Sequence, residues 1–145
     1  MGQTYLFTSE SVTEGHPDKL CDRISDAVLD ACLDQDPSSR VACEAAVTTD
    51  MVYLMGQLST HASVDFSRVV RRTLREVGYA GKDFGFDAES CVISTALNRQ
   101  SEDIDAGVSC SLERRQRDTG DTANMDFYET VGAGDQGMMF GYACD

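Results

Sequence analysis

The chain has 145 residues, with 12 basic against 25 acidic side chains, a formal charge of −13 and a sequence pI near 4.3. That balance argues against a nucleic-acid binder, which needs Lys and Arg to neutralise phosphates. Hydrophobic residues make up 41%, enough for a buried core, while two prolines exclude a proline-rich linker protein.

No apolar run approaches the roughly eighteen residues of a membrane helix. The start, Met-Gly-Gln-Thr-Tyr-Leu-Phe, has neither the basic head nor the apolar core of a secretion signal. These features predict a soluble, cytoplasmic chain with no nucleic-acid or membrane partner.

In chain order, residues 4–9 (Thr-Tyr-Leu-Phe-Thr-Ser) have the alphabet of a short strand and lead into a polar turn. Pro17 suits the first turn of a helix, where its missing N–H would be unpaired anyway. From there Leu20, Cys21, Ile24, Ala27, Val28, Ala31 and Cys32 fall at the three-and-four spacing of one buried helical face. Asp36-Pro37 closes that helix. Residues 40–49 and 51–58, rich in Val, Ala, Thr, Tyr and Met, read as a hairpin broken at Thr49-Asp50. Asp65 is placed to cap a second helix, with Val69, Val70, Leu74 and Val77 inward, Gly78 just past its end and Arg68, Arg71, Arg72 and Arg75 on its polar side. Residues 91–97 read as a third core strand. The fold class that results is α+β, amphipathic helices packed on a mostly antiparallel sheet.

After Gln100 the character changes. Residues 101–131 are polar and without clear periodicity, the profile of a disordered stretch or a working lid. A glycine-rich segment follows, Gly132-Ala-Gly-Asp135-Gln-Gly137, and the chain stops at Asp145 with an apolar segment just begun, as a fragment would. The six cysteines (Cys21, Cys32, Cys43, Cys91, Cys110 and Cys144) form no Cys-x-x-Cys pair, and only two histidines are present. A zinc site thus has almost no support, and reduced, buried thiols acting as small hydrophobes are expected.

Several residues have the chemistry of a site. Gly15-His16-Pro17-Asp18-Lys19 places an imidazole, a carboxylate and an ammonium where a loop feeds a helix N-terminus, a place that favours anions. His16 and Lys19 suit phosphate oxygens and Asp18 a hard cation such as magnesium. The plainer alternative is that His16 caps a turn and Asp18 complements the helix dipole. The His-Pro-Asp triplet is also that of J-domain co-chaperones, but those are helical and carry a basic helix before the loop, which an acidic turn replaces here. Asp18, Asp22, Asp26, Asp30 and Asp34 recur every four residues, and all except Asp18 read as a solvated face. Glu44 interrupts an apolar strand and points either to water or inward to a cation or hydrogen-bond partner. Gly132–Gly137 permits close backbone approach to a ligand, with Asp135 able to accept bonds from ribose hydroxyls or an amine. It is neither a Walker loop nor the dinucleotide fingerprint.

Taken together, the ordered blocks Phe7–Lys19, Ile24–Leu29, Arg40–Glu44, Arg75–Tyr79, Gly85–Asp87 and Gly132–Gly137 resemble the amino-terminal part of the S-adenosylmethionine synthetase (methionine adenosyltransferase) family. The resemblance implies an enzyme that joins ATP to L-methionine by sulfur attack on ribose C5′. The triphosphate leaves and is then hydrolysed. It further implies three similar α+β domains woven from non-consecutive segments, and active sites between the subunits of a homodimer or dimer of dimers. By resemblance, His16 would meet the triphosphate near the leaving oxygen as catalytic and ATP-binding residue, with Asp135 at the ribose and methionine end. Asp18 would ligate Mg²⁺ and Glu44 an activating K⁺. Gln100 would contact methionine, as would Gln57, which stands where the family usually has a glutamate. The resemblance divides the chain into an N-terminal domain over 1–101, a polar gating loop over 102–131 with its basic cluster Arg114–Arg117, and the start of a central domain over 132–145. Family members are more than twice as long, so this chain alone is expected to be inactive. Two other readings fit the same residues: a short non-catalytic partner subunit derived from the family, and a magnesium-dependent phosphate-binding module without transferase activity.

Overall fold

The computed structural model describes residues 4–81, 85–101, 103, 104 and 111. The chain divides into two compact units, residues 1–99 and 100–145, and the helices and strands named here belong to the first.

Helix α1 runs Pro17–Leu33 with Pro at its first position and His16 as N-cap. Leu20, Ile24, Val28 and Cys32 form its buried stripe, while Asp18, Asp22, Asp26, Asp30 and Asp34 are all exposed. Each aspartate lies two residues from a buried position, and about 100° per residue puts the two stripes on opposite sides. Asp22, Asp26, Asp30 and Asp34 form the solvated face that their spacing predicts, and Asp18 is exposed with them.

Strands β1 (Arg40–Thr48) and β2 (Met51–Ser59) form the antiparallel hairpin, with Arg40 opposite Ser59 and Thr48 opposite Met51. Asp50 closes the turn at φ 56°, a left-handed conformation that Asp tolerates. Helix α2 (Phe66–Val77) starts where the Asp65 carboxylate accepts the Arg68 amide at 3.0 Å and ends at left-handed Gly78, φ 110°. Strand β3 (Val92–Arg99) then pairs parallel to β2, so the sheet order is β1-β2-β3 with one antiparallel and one parallel pair. Parallel neighbours need a crossover rather than a tight turn, and α2 supplies it.

Both helices cover one face of the sheet. Val41, Cys43, Ala45 and Val47 of β1, Val52 and Leu54 of β2, and Ile93 and Leu97 of β3 meet Leu20, Ile24, Val28, Val69, Val70 and Leu74 there. On the other face, the register aligns the rows Ala42–Gln57–Asn98, Glu44–Met55–Ala96, Ala46–Tyr53–Ser94 and Thr48–Met51–Val92.

Two expectations need correction. Residues 4–9 form no strand: Tyr5, Leu6 and Phe7 are 77%, 98% and 65% exposed, so neither face of the segment is buried. Aromatic and β-branched residues favour strands only where a sheet offers packing on the pleat. Arg71 is not part of a solvated polar side either. Its guanidinium turns under the loop before β3 and donates to the carbonyls of Ala88, Glu89 (3.0 Å) and Cys91 (3.2 Å). The other arginines behave as surface groups: Arg75 pairs with Glu89 at 2.5 Å and Arg72 with Glu76 at 3.9 Å.

Cys32 and Cys91 are buried, Cys21 and Cys43 half-buried, and all four are free thiols; Cys110 and Cys144 lie outside the described residues. Among the described residues, no helix is long and apolar enough to cross a membrane.

Candidate functional site

The turn before α1 carries the strongest candidate. His16 sits at φ −62°, ψ 136°, and its Nδ1 accepts the Asp18 amide at 3.2 Å, satisfying one of the donors that a helix start leaves unpaired. His16 therefore does cap the helix, as the plainer alternative had it. The cap also carries a chemical consequence. A neutral imidazole that accepts through Nδ1 holds its proton on Nε2, and the ring is 38% exposed. The side chain thus presents an N–H donor beside a helix N-terminus, whose partial positive charge favours anions.

Asp18 is 92% exposed, its Oδ2 3.9 Å from His16 Nδ1. Lys19 is exposed on the same first turn. The donor set is therefore one imidazole N–H, one free carboxylate and one ammonium. Magnesium is commonly held by one or two carboxylates together with phosphate oxygens and water, and a single accessible aspartate beside a phosphate-type site fits that chemistry. Among the described residues, no group of three or more His, Cys, Asp or Glu converges to form a closed metal site.

Next to this turn lies an open groove of about 390 Å³, lined by Gly15, Pro17, Leu20, Val47, Thr48, Thr49, Tyr79, Gly85 and Phe86. It places the start of α1 at the Thr48-Thr49 end of the hairpin. Tyr79 bridges the groove, donating its hydroxyl to the Gly15 carbonyl at 2.8 Å.

The sheet decides between the two readings of Glu44. Cys43 and Ala45 face the helices, so Glu44 between them points to the other face and is exposed. Gln57 is exposed on that same face, one row from Glu44, because Glu44 is opposite Met55 and Ala42 opposite Gln57. Diagonal neighbours of this kind stand about 7–8 Å apart. The chain thus forms two separate groups: His16 and Asp18 at the start of α1, and Glu44 and Gln57 on the sheet face that neither helix covers. Gln100 follows β3 directly and is half-buried. Asp135, the glycine-rich segment around it and Arg114–Arg117 lie outside the described residues.

Residues 4–102 match the family model described as "S-adenosylmethionine synthetase, N-terminal domain". The chain belongs to the S-adenosylmethionine synthetase family. It is 55% identical over 140 residues to an S-adenosylmethionine synthase of Gloeobacter violaceus, covering 97% of this chain and 32% of that protein. A Clostridium tetani S-adenosylmethionine synthase is 54% identical over 138 residues, 95% of this chain and 34% of the relative. One from Synechococcus elongatus is 51% identical over 145 residues, 100% of this chain and again 34% of the relative. The chain spans about a third of the length of these relatives. The matched range contains His16, Asp18, Glu44, Gln57 and Gln100, and Asp135 lies beyond it.

Two features of the family domain escape a reading by motif. Tyr79 belongs to a recognised block, but its reach to Gly15 spans 64 positions and has no local signal. Arg71 looks like any arginine on a polar helix side, because its acceptors lie 17 to 20 residues downstream.

Proposed function

We propose that this chain is the N-terminal part of a methionine adenosyltransferase, which forms S-adenosyl-L-methionine from ATP and L-methionine. The observation that carries the reading is the His16 cap within a family-matched domain. Nδ1 is engaged by the helix, Nε2–H is free to donate, and an accessible carboxylate follows two residues later.

The chemistry asks for such an arrangement. Sulfur attack at ribose C5′ breaks the bond to a triphosphate, and negative charge grows on the departing oxygen. A donor already fixed where that charge develops stabilises the transition state more than the ground state. His16 Nε2–H takes that role, and the α1 N-terminus adds its dipole. Asp18 would hold Mg²⁺, which neutralises phosphate charge when bound. On the sheet face that neither helix covers, Glu44 would supply an anionic oxygen for K⁺ and Gln57 a neutral acceptor for the methionine ammonium. Gln100 contacts methionine at the start of the gating loop over 102–131, and Asp135 serves the ribose and methionine end. His16 and Asp18 lie at the start of a helix that packs on one sheet face, while Glu44 and Gln57 occupy the other. That separation suits an active site completed by another subunit, in a homodimer or dimer of dimers.

The 145 residues by themselves are expected to form no S-adenosylmethionine, since relatives are about three times as long. The test joins residues 1–145 to the remaining two thirds of the Gloeobacter violaceus relative and assays the hybrid with ATP, methionine, Mg²⁺ and K⁺. S-adenosylmethionine formation that His16→Ala abolishes supports the reading. An active hybrid indifferent to His16→Ala removes His16 from the mechanism, and product from the 145 residues alone overturns the expected inactivity.

A further inference from the structure

Two stretches 64 residues apart in sequence meet at one hydrogen bond, that from the Tyr79 hydroxyl to the Gly15 carbonyl at 2.8 Å. Tyr79 is fixed at its own end. Its amide donates to the Leu74 carbonyl at 3.0 Å, and its carbonyl accepts the Ala88 amide at 2.9 Å. Its ring meets Phe86 edge-on, centroids 5.1 Å apart at 86°, and Phe86 is part of the core at 8% exposure. The phenol is thus an arm with a rigid root, reaching from the end of α2 to the turn before α1.

What the arm holds is specific. The Gly15 carbonyl and the His16 amide belong to one planar peptide unit. Tyr79 binds the oxygen of that plane, and the Thr13 carbonyl binds its N–H at 3.0 Å. With both sides of the plane fixed, the direction in which His16 leaves the backbone is fixed too. Gly15 fits the same account. Its backbone is not left-handed, so conformation alone does not demand glycine, but a Cβ there would come 3.0 Å from the Tyr79 hydroxyl. The blocks Arg75–Tyr79 and Gly85–Asp87 otherwise have no part in the proposed chemistry.

We propose that Tyr79 is a positioning residue for His16: its hydroxyl clamps the Gly15–His16 peptide and thereby aims the imidazole at the triphosphate. The catalytic half of this statement rests on the reading of His16 given under Proposed function; the structural half does not.

The experiment uses Tyr79→Phe, which keeps the ring on Phe86 and deletes only the hydroxyl. Its first readout is amide hydrogen exchange in the 145-residue chain, which requires no activity. Exchange at His16, Asp18 and Leu20 accelerates about tenfold, the expected effect of losing one hydrogen bond, while Val70–Leu74 in α2 are unchanged. Gly15→Ala accelerates the same amides in the wild type and adds nothing further in Tyr79→Phe, because the clash needs the hydroxyl. Unchanged exchange at 16–20, equal acceleration in α2, or full additivity of the two substitutions overturns the clamp.

The second readout is kinetic, in the hybrid synthase. A mis-aimed donor lowers kcat about tenfold and leaves KM for methionine unchanged. A merely structural hydroxyl instead lowers Tm and leaves kcat of the folded enzyme intact, which overturns the positioning role. An inactive wild-type hybrid overturns the functional reading, and the exchange data then decide the clamp separately.

Discussion

Gly56 on β2 stands so close to Ala42 on β1 that a Cβ at Gly56 would lie 2.0 Å from the Ala42 carbonyl oxygen. The obstacle is backbone, which cannot rotate aside as a side chain can. Gly56 also adopts φ 136°, outside the range that L-residues comfortably occupy. Both reasons act together, in the middle of the strand that joins the two others.

Gly56→Ala is therefore expected to destabilise the domain by about 3 kcal/mol or more, combining overpacking against fixed atoms with a strained backbone. Urea denaturation checks it. A midpoint within error of the wild type would show that β1 and β2 separate at little cost. Since Gln57 is the next residue, any loss of Gly56 also moves the row that carries Gln57 and Asn98.

The Arg71 guanidinium is the common donor for three carbonyls of the loop before β3. Without it, all three oxygens lose a charged donor, and those of Ala88 and Cys91 stay part-buried. Arg71→Ala is expected to cost about 1.5–3 kcal/mol, the range for bonds to a charged group. Arg72→Ala, whose partner is one exposed glutamate on its own helix, should cost less than about 0.5 kcal/mol. Equal losses in thermal melts of the two variants would refute the distinction.

How much of this was legible beforehand follows from the range of each signal. Both helices are written locally: Pro17, Asp65 and Gly78 mark ends, and buried residues recur at helical spacing. The hairpin is legible for the same reason, its two strands meeting across Thr49-Asp50. The parallel pairing of β3 with β2 is not, because it forms across an intervening helix and leaves no mark in either strand. Thr4–Ser9 shows the converse failure, a strand-like composition to which no burial corresponds. Glu44 became decidable only through alternation with Cys43 and Ala45 on a defined sheet face. At the site, residue types at the α1 N-terminus were visible, whereas the His16 tautomer and the Tyr79 clamp depend on contacts that spacing does not encode.

Asp36 ties the end of α1 to the segment after β2. Its carboxylate accepts the His61 amide at 2.8 Å and the Ser38 hydroxyl at 2.6 Å, and these bonds hold its pKa at about 2, below its ordinary 3.8. A depressed carboxylate stabilises the fold above its unfolded pKa, and that contribution disappears as pH falls through the folded value. The Tm gap between wild type and Asp36→Ala should thus be full above about pH 5 and shrink as pH approaches 2. A gap independent of pH would mean the carboxylate charge is irrelevant to the tie.

Cys43 lies on the helix-facing side of β1, where burial, aided by the neighbouring Glu44 charge, pushes its thiol up to about 11. Reaction with alkylating agents proceeds through the thiolate. At pH 8, three units below that value, only about one thiol in a thousand is ionised. Iodoacetamide followed by peptide mass spectrometry should therefore label Cys43 slowly in the folded chain and readily in urea. Equal rates in both conditions would place Cys43 in solvent and contradict the assigned strand face.

Gln57 is exposed on the sheet face that neither helix covers, pointing away from the core, so its replacement leaves the core packing intact. On the proposed assignment it meets the methionine ammonium with a neutral acceptor. A carboxylate in the same place makes a charge-assisted bond, about twice as strong as a neutral one. Gln57→Glu should then lower KM for methionine roughly tenfold in the hybrid synthase, with KM for ATP and thermal stability unchanged. The gain should also weaken at high salt if the new contact is partly solvated. An unchanged KM for methionine would show that Gln57 does not contact the amino group, and the assignment of this sheet face to methionine would fall with it.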